Sequence, residues 1–193
     1  LEKCSCREHL EEVGYEVVSD SVFSKISDTC TPQGVLCVLK QFHYNIEEML
    51  RDKAPLFLLL ENIQDPGNLG TMLRTGEGAG VSGIIMSRDT VDLYNPKVIR
   101  STMGSIYRVP FYYAEDFAAA VHQVQQAGVS VYAAHLRGKN SYACQDYTKG
   151  TAFLIGNEGN GLREETAELA DCYIRIPMEG KVESLNAAVA SSI

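Results

Sequence analysis

The sequence predicts an α/β fold, a parallel sheet with helices on both faces, preceded by part of a small α/β domain. Three observations predict it. Short continuous apolar runs recur from Leu56 onward, helical patterns fall between them, and residues 1–45 follow a different rhythm. Unbroken runs that short suit strands buried on both faces, and strands alternating with helices call for a parallel sheet.

The strands read at Leu56–Leu60, Gly83–Met86, Val129–Ala134, Ala152–Ile155 and Tyr173–Ile176. Between them, Asn68–Gly80 carries Leu69, Met72, Leu73, Gly76 and Ala79 at helical spacing, and Glu115–Ala127 carries Phe117, Ala118, Val121 and Val124. Each pattern runs into a glycine, Gly80 or Gly128, the residue that most readily closes a helix. Leu185–Ile193 is helical in pattern without a closing signal, so the chain reads as cut at both ends. Residues 1–45 hold a helix-like stretch, Val17-Val18, Ser24–Ser27 and the apolar Gly34–Leu39, the tail of a separate small domain. The segment 46–54 reads as a linker or connecting helix, and Pro55 marks entry to the second domain, 55–193.

Composition narrows the function classes. A hydrophobic share of 45% supports a buried core. The net charge of −8 and pI near 5.0 are not those of a generally basic nucleic-acid binder. The cations Arg74, Arg88, Lys97, Arg100, Arg108, Arg137 and Lys139 are scattered among acids, so any polyanion contact is local or uses a partner. Six cysteines at irregular spacing offer no Cys-x-x-Cys pair, so neither disulfides nor a metal site are expected. No apolar run approaches the roughly 18 residues of a membrane span, and the expected location is the cytoplasm.

Three stretches carry chemistry, each running from an apolar strand through a polar or glycine-rich turn. In the first, Glu61 to Thr75, Asp65-Pro66-Gly67 is a turn and Asn68 is placed to cap the next helix. Arg74 follows six residues later and suits a bidentate phosphate contact; taken alone, it better suits a surface pair with Glu77. In the second, Gly156-Asn157-Glu158-Gly159-Asn160-Gly161-Leu162, three glycines in six residues permit close approach of a ligand to the backbone. This stretch lacks the Gly-x-Gly-x-x-Gly of dinucleotide sites, and Glu158 is its single carboxylate. The third, Ile174 to Ala190, has a long loop before a helix that Ser184 or Asn186 can cap.

In order and combination, Asn68 with Arg74, Gly156 to Leu162, and Ile176-Pro177-Met178 with Ser184-Leu185-Asn186 resemble the signature motifs of the SpoU (TrmH) family of RNA methyltransferases. Residues 1–45 resemble the end of that family's ribosomal-protein-like RNA-binding domain.

The resemblance implies a C-terminal deep trefoil knot, a rare exception to the topological rules, and a homodimer. It implies S-adenosylmethionine as cofactor, held by Leu154, Gly156, Asn157, Ile176, Met178 and Leu185. Arg74, Asn68, Glu158, Ser184 and Asn186 become the candidate catalytic set for methyl transfer to an RNA ribose 2′-hydroxyl. Family proposals give the arginine the role of activating that hydroxyl. A guanidinium is effectively never deprotonated, so Arg74 reads instead as a clamp on the neighbouring phosphate. Lys97, Arg100 and Ser101 fall in a segment that faces RNA in the family. His135, at a strand end, reads as structural. The separate N-terminal piece favours ribosomal over transfer RNA. The alternatives are a transfer-RNA enzyme, a non-catalytic RNA-binding protein, and a nicotinamide-dependent oxidoreductase, which would need the missing glycine fingerprint.

Overall fold

The computed structural model describes residues 12–27, 29–182 and 184–193. Cys4 and Cys6 lie outside them; the described cysteines Cys30, Cys37, Cys144 and Cys172 are free thiols. No helix among the described residues is long and apolar enough to cross a membrane. The chain divides into two compact units, Leu1–Phe42 and His43–Ile193.

In the first unit, helix α1 (Asp20–Ile26) starts at Ser19, whose hydroxyl accepts the Val22 N–H. Among its described residues there is no strand, which corrects the expected α/β character of this part. Val35, Leu36, Val38 and Leu39 are exposed. A strand needs a neighbour for its N–H and C=O groups, and the described residues of the unit offer these none.

The second unit is a seven-stranded, wholly parallel sheet. In chain order it comprises α2 (Ile46–Met49), β1 (Leu56–Leu60), α3 (Pro66–Ala79), β2 (Gly83–Ser87), α4 (Pro96–Ser101) and β3 (Phe111–Ala114). There follow α5 (Phe117–Gln126), β4 (Ser130–Ala134), β5 (Asn140–Ser141), β6 (Thr151–Ile155), α6 (Glu164–Ala167), β7 (Cys172–Arg175) and α7 (Ala187–Ala190). The strand order is β3-β2-β1-β6-β4-β7-β5. The five strands read from sequence are present with ends moved by a residue, and β3 and β5 are additional. Both additions lie at sheet edges, where a continuous aliphatic run is not required: β3 is aromatic and half-buried, and β5 has two residues.

Alternation along the strands gives each face its cover. Phe57, Leu59, Ile85, Val131, Ala133, Ala152 and Leu154 pack with Ile46, Met49, Ala120, Val121, Val124 and Ala167, so α2, α5 and α6 cover one face. The segment expected to link two domains thus contributes Ile46 and Met49 to the core. Leu58 points the other way, against α3 at Gly76, and α3 in turn packs on α4 and α7.

Helix α3 is capped by Asp65, whose carboxylate accepts the Asn68 N–H at 2.8 Å, with Pro66 in the first turn. This corrects the expected cap at Asn68. Proline fits the first helical position, so the cap falls immediately before it. Asn68 is thereby inside the helix with its carboxamide free for another task. Gly80 closes the helix in the left-handed conformation, φ 75°.

The crossing of α3 and α4 depends on Gly70. A Cβ there would overlap the Ser101 hydroxyl and stand 2.9 Å from the Val98 carbonyl oxygen. Gly70→Ala is expected to destabilise by roughly 1–3 kcal/mol through overpacking. Gly78→Ala, with open space around it on the same helix, is expected to stabilise by about 0.4–1 kcal/mol. Thermal denaturation of both variants checks the pair, with melting temperatures moving in opposite directions.

Candidate active site

The three motif loops leave the carboxyl ends of β1, β6 and β7, the edge where open parallel sheets hold ligands. Because β1 and β6 are neighbours, the first two loops start side by side. The Glu61 N–H donates to the Ile155 carbonyl at 2.9 Å as the two strands end.

The loop after β6 folds back on itself. Asn157 and Gly161 exchange backbone hydrogen bonds of 3.0 and 2.9 Å, and the Asn157 side-chain oxygen accepts the N–H groups of Gly159 and Asn160. Two glycines are required by this geometry. Gly161 has φ 71°, and a Cβ on Gly156 would overlap the Gly161 carbonyl carbon and the Leu162 nitrogen.

This loop is fastened to the first. The Asn157 Nδ2 donates to the Asn62 carbonyl at 2.8 Å. Glu158 accepts four hydrogen bonds: Oε1 from the Asp65 N–H and Asn68 Nδ2, both 3.0 Å, and Oε2 from the Gln64 N–H at 3.1 Å and Asn157 Nδ2 at 3.5 Å. Burial is the strongest single influence on this carboxyl and acts to raise its pKa. The bonds from Asn68 and the backbone N–H groups together outweigh it and hold Glu158 below the ordinary carboxylate range.

Asn68 extends the connection to the third loop. Its Oδ1 accepts from Asn186 Nδ2 at 3.0 Å, and Asn186 Oδ1 accepts the N–H groups of Ala188 and Val189, capping α7. Glu158, Asn68 and Asn186 thus form one hydrogen-bonded line through all three motifs.

Beside this line lies a cavity of about 280 Å³. Of the residues expected to hold a cofactor, Gly156, Asn157, Ile176, Met178 and Leu185 line it; so do Glu158 and Ser184. Leu154, expected to contribute through its backbone, is not among the lining residues. Leu154 packs in the core cluster on one face of the sheet, whereas Ile155, one residue on, lines the cavity. Asn68, Arg74 and Asn186 stand outside the lining.

Sequence reading missed the cavity wall formed by the end of β4, Ala134, His135 and Leu136. The available signal was position: His135 ends a strand on the same edge as the motif loops. Its ring stacks on Tyr173 at 5.1 Å between centroids, and its Nδ1 accepts the Arg137 N–H at 3.1 Å, which leaves the proton of the neutral ring on Nε2. Burial first, then the Arg137 charge, lowers the His135 pKa, with Glu164 opposing.

Arg74 is exposed on α3 and has no hydrogen-bonded or ionic partner among the described residues. Glu77, its sequence-level partner, is taken by Arg108 at 2.8 Å.

The sequence model of the SpoU rRNA Methylase family matches residues 55–193. Among curated relatives, the chain is 34% identical over 177 residues to the 23S rRNA (guanosine(2553)-2'-O)-methyltransferase RlmP of Bacillus subtilis, covering 92% of this chain and 69% of that one. It is 30% identical over 172 residues to the 23S rRNA (guanosine-2'-O-)-methyltransferase RlmB of Neisseria meningitidis, covering 87% and 69%. Among solved structures, the AdoMet-bound rRNA methyltransferase from Sinorhizobium meliloti superposes with a TM-score of 0.81 at 36% identity, covering 90% of this chain and 67% of the other. The chain spans about two thirds of the length of these relatives. With the three motifs joined by hydrogen bonds at one sheet edge and a family match over the whole of that sheet, the chain belongs to the SpoU rRNA methylase family.

Proposed function

We propose that this chain carries the catalytic part of an S-adenosylmethionine-dependent RNA 2′-O-ribose methyltransferase acting on ribosomal RNA. The observation that carries the reading is the line Glu158–Asn68–Asn186 beside an apolar cavity, with Arg74 exposed and without a partner among the described residues. The named activities of the relatives from B. subtilis and N. meningitidis support the reaction and the ribosomal target. The reading includes a C-terminal trefoil knot, assembly as a homodimer, a cytoplasmic location, and an RNA-binding role for residues 1–45.

The residues present fit the cofactor. Gly156 keeps the loop backbone free of a side chain where 161–162 closes over it, and Ile155, Leu162, Ile176, Met178 and Leu185 supply apolar walls for an adenosine. S-adenosylmethionine, when bound, supplies an already activated methyl group. What remains for the chain is binding, orientation and a route for the hydroxyl proton.

On this reading the tasks divide unevenly. Glu158 is a poor base because it is ionised with its carboxylate committed to four hydrogen bonds; it fixes the first loop against the second. Asn68 relays that position to Asn186 at the start of α7. Ser184 lines the cavity near the end of the third loop, two residues before Asn186. Arg74 clamps the phosphate beside the target ribose and orients the hydroxyl, whose proton passes to phosphate or solvent. Lys97 and Arg100 on α4, which packs on α3, also have no ion-pair partner among the described residues and extend the cationic surface.

Arg74→Ala is expected to lower methyl transfer by roughly 10²–10³-fold, with cofactor affinity unchanged within about twofold on the clamp reading. Transfer of labelled methyl to ribosomal RNA and calorimetric titration of S-adenosylmethionine check both; lost cofactor affinity would contradict the clamp. Glu158→Gln tests the carboxylate. Since the folded-state pKa lies below an unfolded value of about 4.3, the ionised form stabilises fully above that pH, and the gain is lost as pH falls through the lower folded value. The melting-temperature gap between parent and variant is therefore expected to be largest at neutral pH and to narrow progressively as pH falls below the unfolded value.

A further inference from the structure

Glu61 has no part in the mechanism above, yet it is the only buried charged side chain among the described residues, 1% exposed. It is the first residue beyond β1. Its Oε1 accepts the Thr166 hydroxyl at 2.5 Å and a longer bond of 3.4 Å from Arg163 Nη1; its Oε2 accepts the Arg163 backbone N–H at 2.8 Å. The Arg163 guanidinium also pairs with Asp89. Asp89 in turn accepts the Ser87 hydroxyl at 2.5 Å, and the same hydroxyl oxygen accepts the Asn62 N–H at 2.8 Å. The ends of β1 and β2 and the start of α6 are thereby closed into one ring of polar contacts.

Arg163 immediately follows Leu162, which lines the cavity, and Gly161 and Leu162 are the residues that press on Gly156. The loop after β6 is therefore held at both ends by the two residues that follow β1. Asn62 receives Asn157 at the upstream end, and Glu61 receives Arg163 at the downstream end.

Taking a carboxylate out of water is costly, and an apolar side chain of similar volume often stabilises a fold as well or better. An apolar group could not accept from a backbone N–H, a hydroxyl and a guanidinium at once. We propose that Glu61 is a positioning residue for cofactor binding: it holds Gly161–Leu162 closed over Gly156 and so sets cofactor affinity, without touching the reacting atoms. This rests on the function proposed above.

The test titrates S-adenosylmethionine into the parent protein, Glu61→Gln and Thr166→Val, with melting temperatures and steady-state methyl transfer measured in parallel. Glu61→Gln keeps the shape but turns an amide toward donors. Its dissociation constant and cofactor KM are expected to rise about tenfold or more, the scale of losing a hydrogen bond to a charged group, with kcat kept within about threefold. Thr166→Val leaves Glu61 in place, removes one of its donors, and is expected to weaken binding by a few fold. If Glu61→Gln does not fold, Thr166→Val carries the test alone. Lower melting temperatures with unchanged cofactor affinity would overturn the proposal and leave Glu61 a purely structural residue. A fall in kcat at unchanged KM would overturn it too. Failure of the parent protein to bind the cofactor would instead overturn the function on which it rests.

Discussion

The carboxamide of Asn68 is the contact on which the site depends. It donates to Glu158 in the second loop and accepts from Asn186 in the third, so a single side chain on α3 joins all three. The polarity is fixed from one end. Glu158 is ionised and accepts only, so Asn68 must offer its nitrogen there and its oxygen to Asn186. Aspartate at position 68 could not donate to Glu158, and alanine would leave both partners short of a bond. That Asn68 is free for this work follows from Asp65, which takes over the capping of the helix.

Charge is arranged by the same economy. An acidic chain with few cations can still present them where they act if its acids are already engaged elsewhere. Arg108 occupies Glu77, Arg88 pairs with Glu115, Arg137 with Glu164, and Arg163 with Glu61 and Asp89. Arg74 is left without a partner among the described residues. Net charge is a statement about the whole surface, whereas a phosphate clamp depends on one guanidinium and its immediate neighbours.

Much of this was readable in the residues, for identifiable reasons. Interior strands such as Leu56–Leu60 must be apolar on both faces and so stand out, while Phe111–Ala114 and Asn140–Ser141 are edges without that constraint. Gly156 and Asn186 were legible because backbone crowding and helix capping restrict residue type. A motif gives a position along the strand but not the face, and adjacent residues face opposite ways, so only the structure shows the Leu154 side chain in the core and Ile155 at the cavity. Glu61 reads as a polar strand end; only contacts across 102 and 105 residues to Arg163 and Thr166 reveal its role. His135 was set aside because a lone histidine carries no spacing to interpret.

Through Asn68 the three loops are hydrogen-bonded into one unit. A double-mutant cycle on S-adenosylmethionine affinity with Glu158→Gln, Asn186→Ala and the pair tests it, because Asn68 joins these two residues. Asn186→Ala breaks the bridge at one end and Glu158→Gln weakens it at the other, so the account predicts a combined loss smaller than the sum by about 0.5 kcal/mol or more. Strictly additive losses would contradict it.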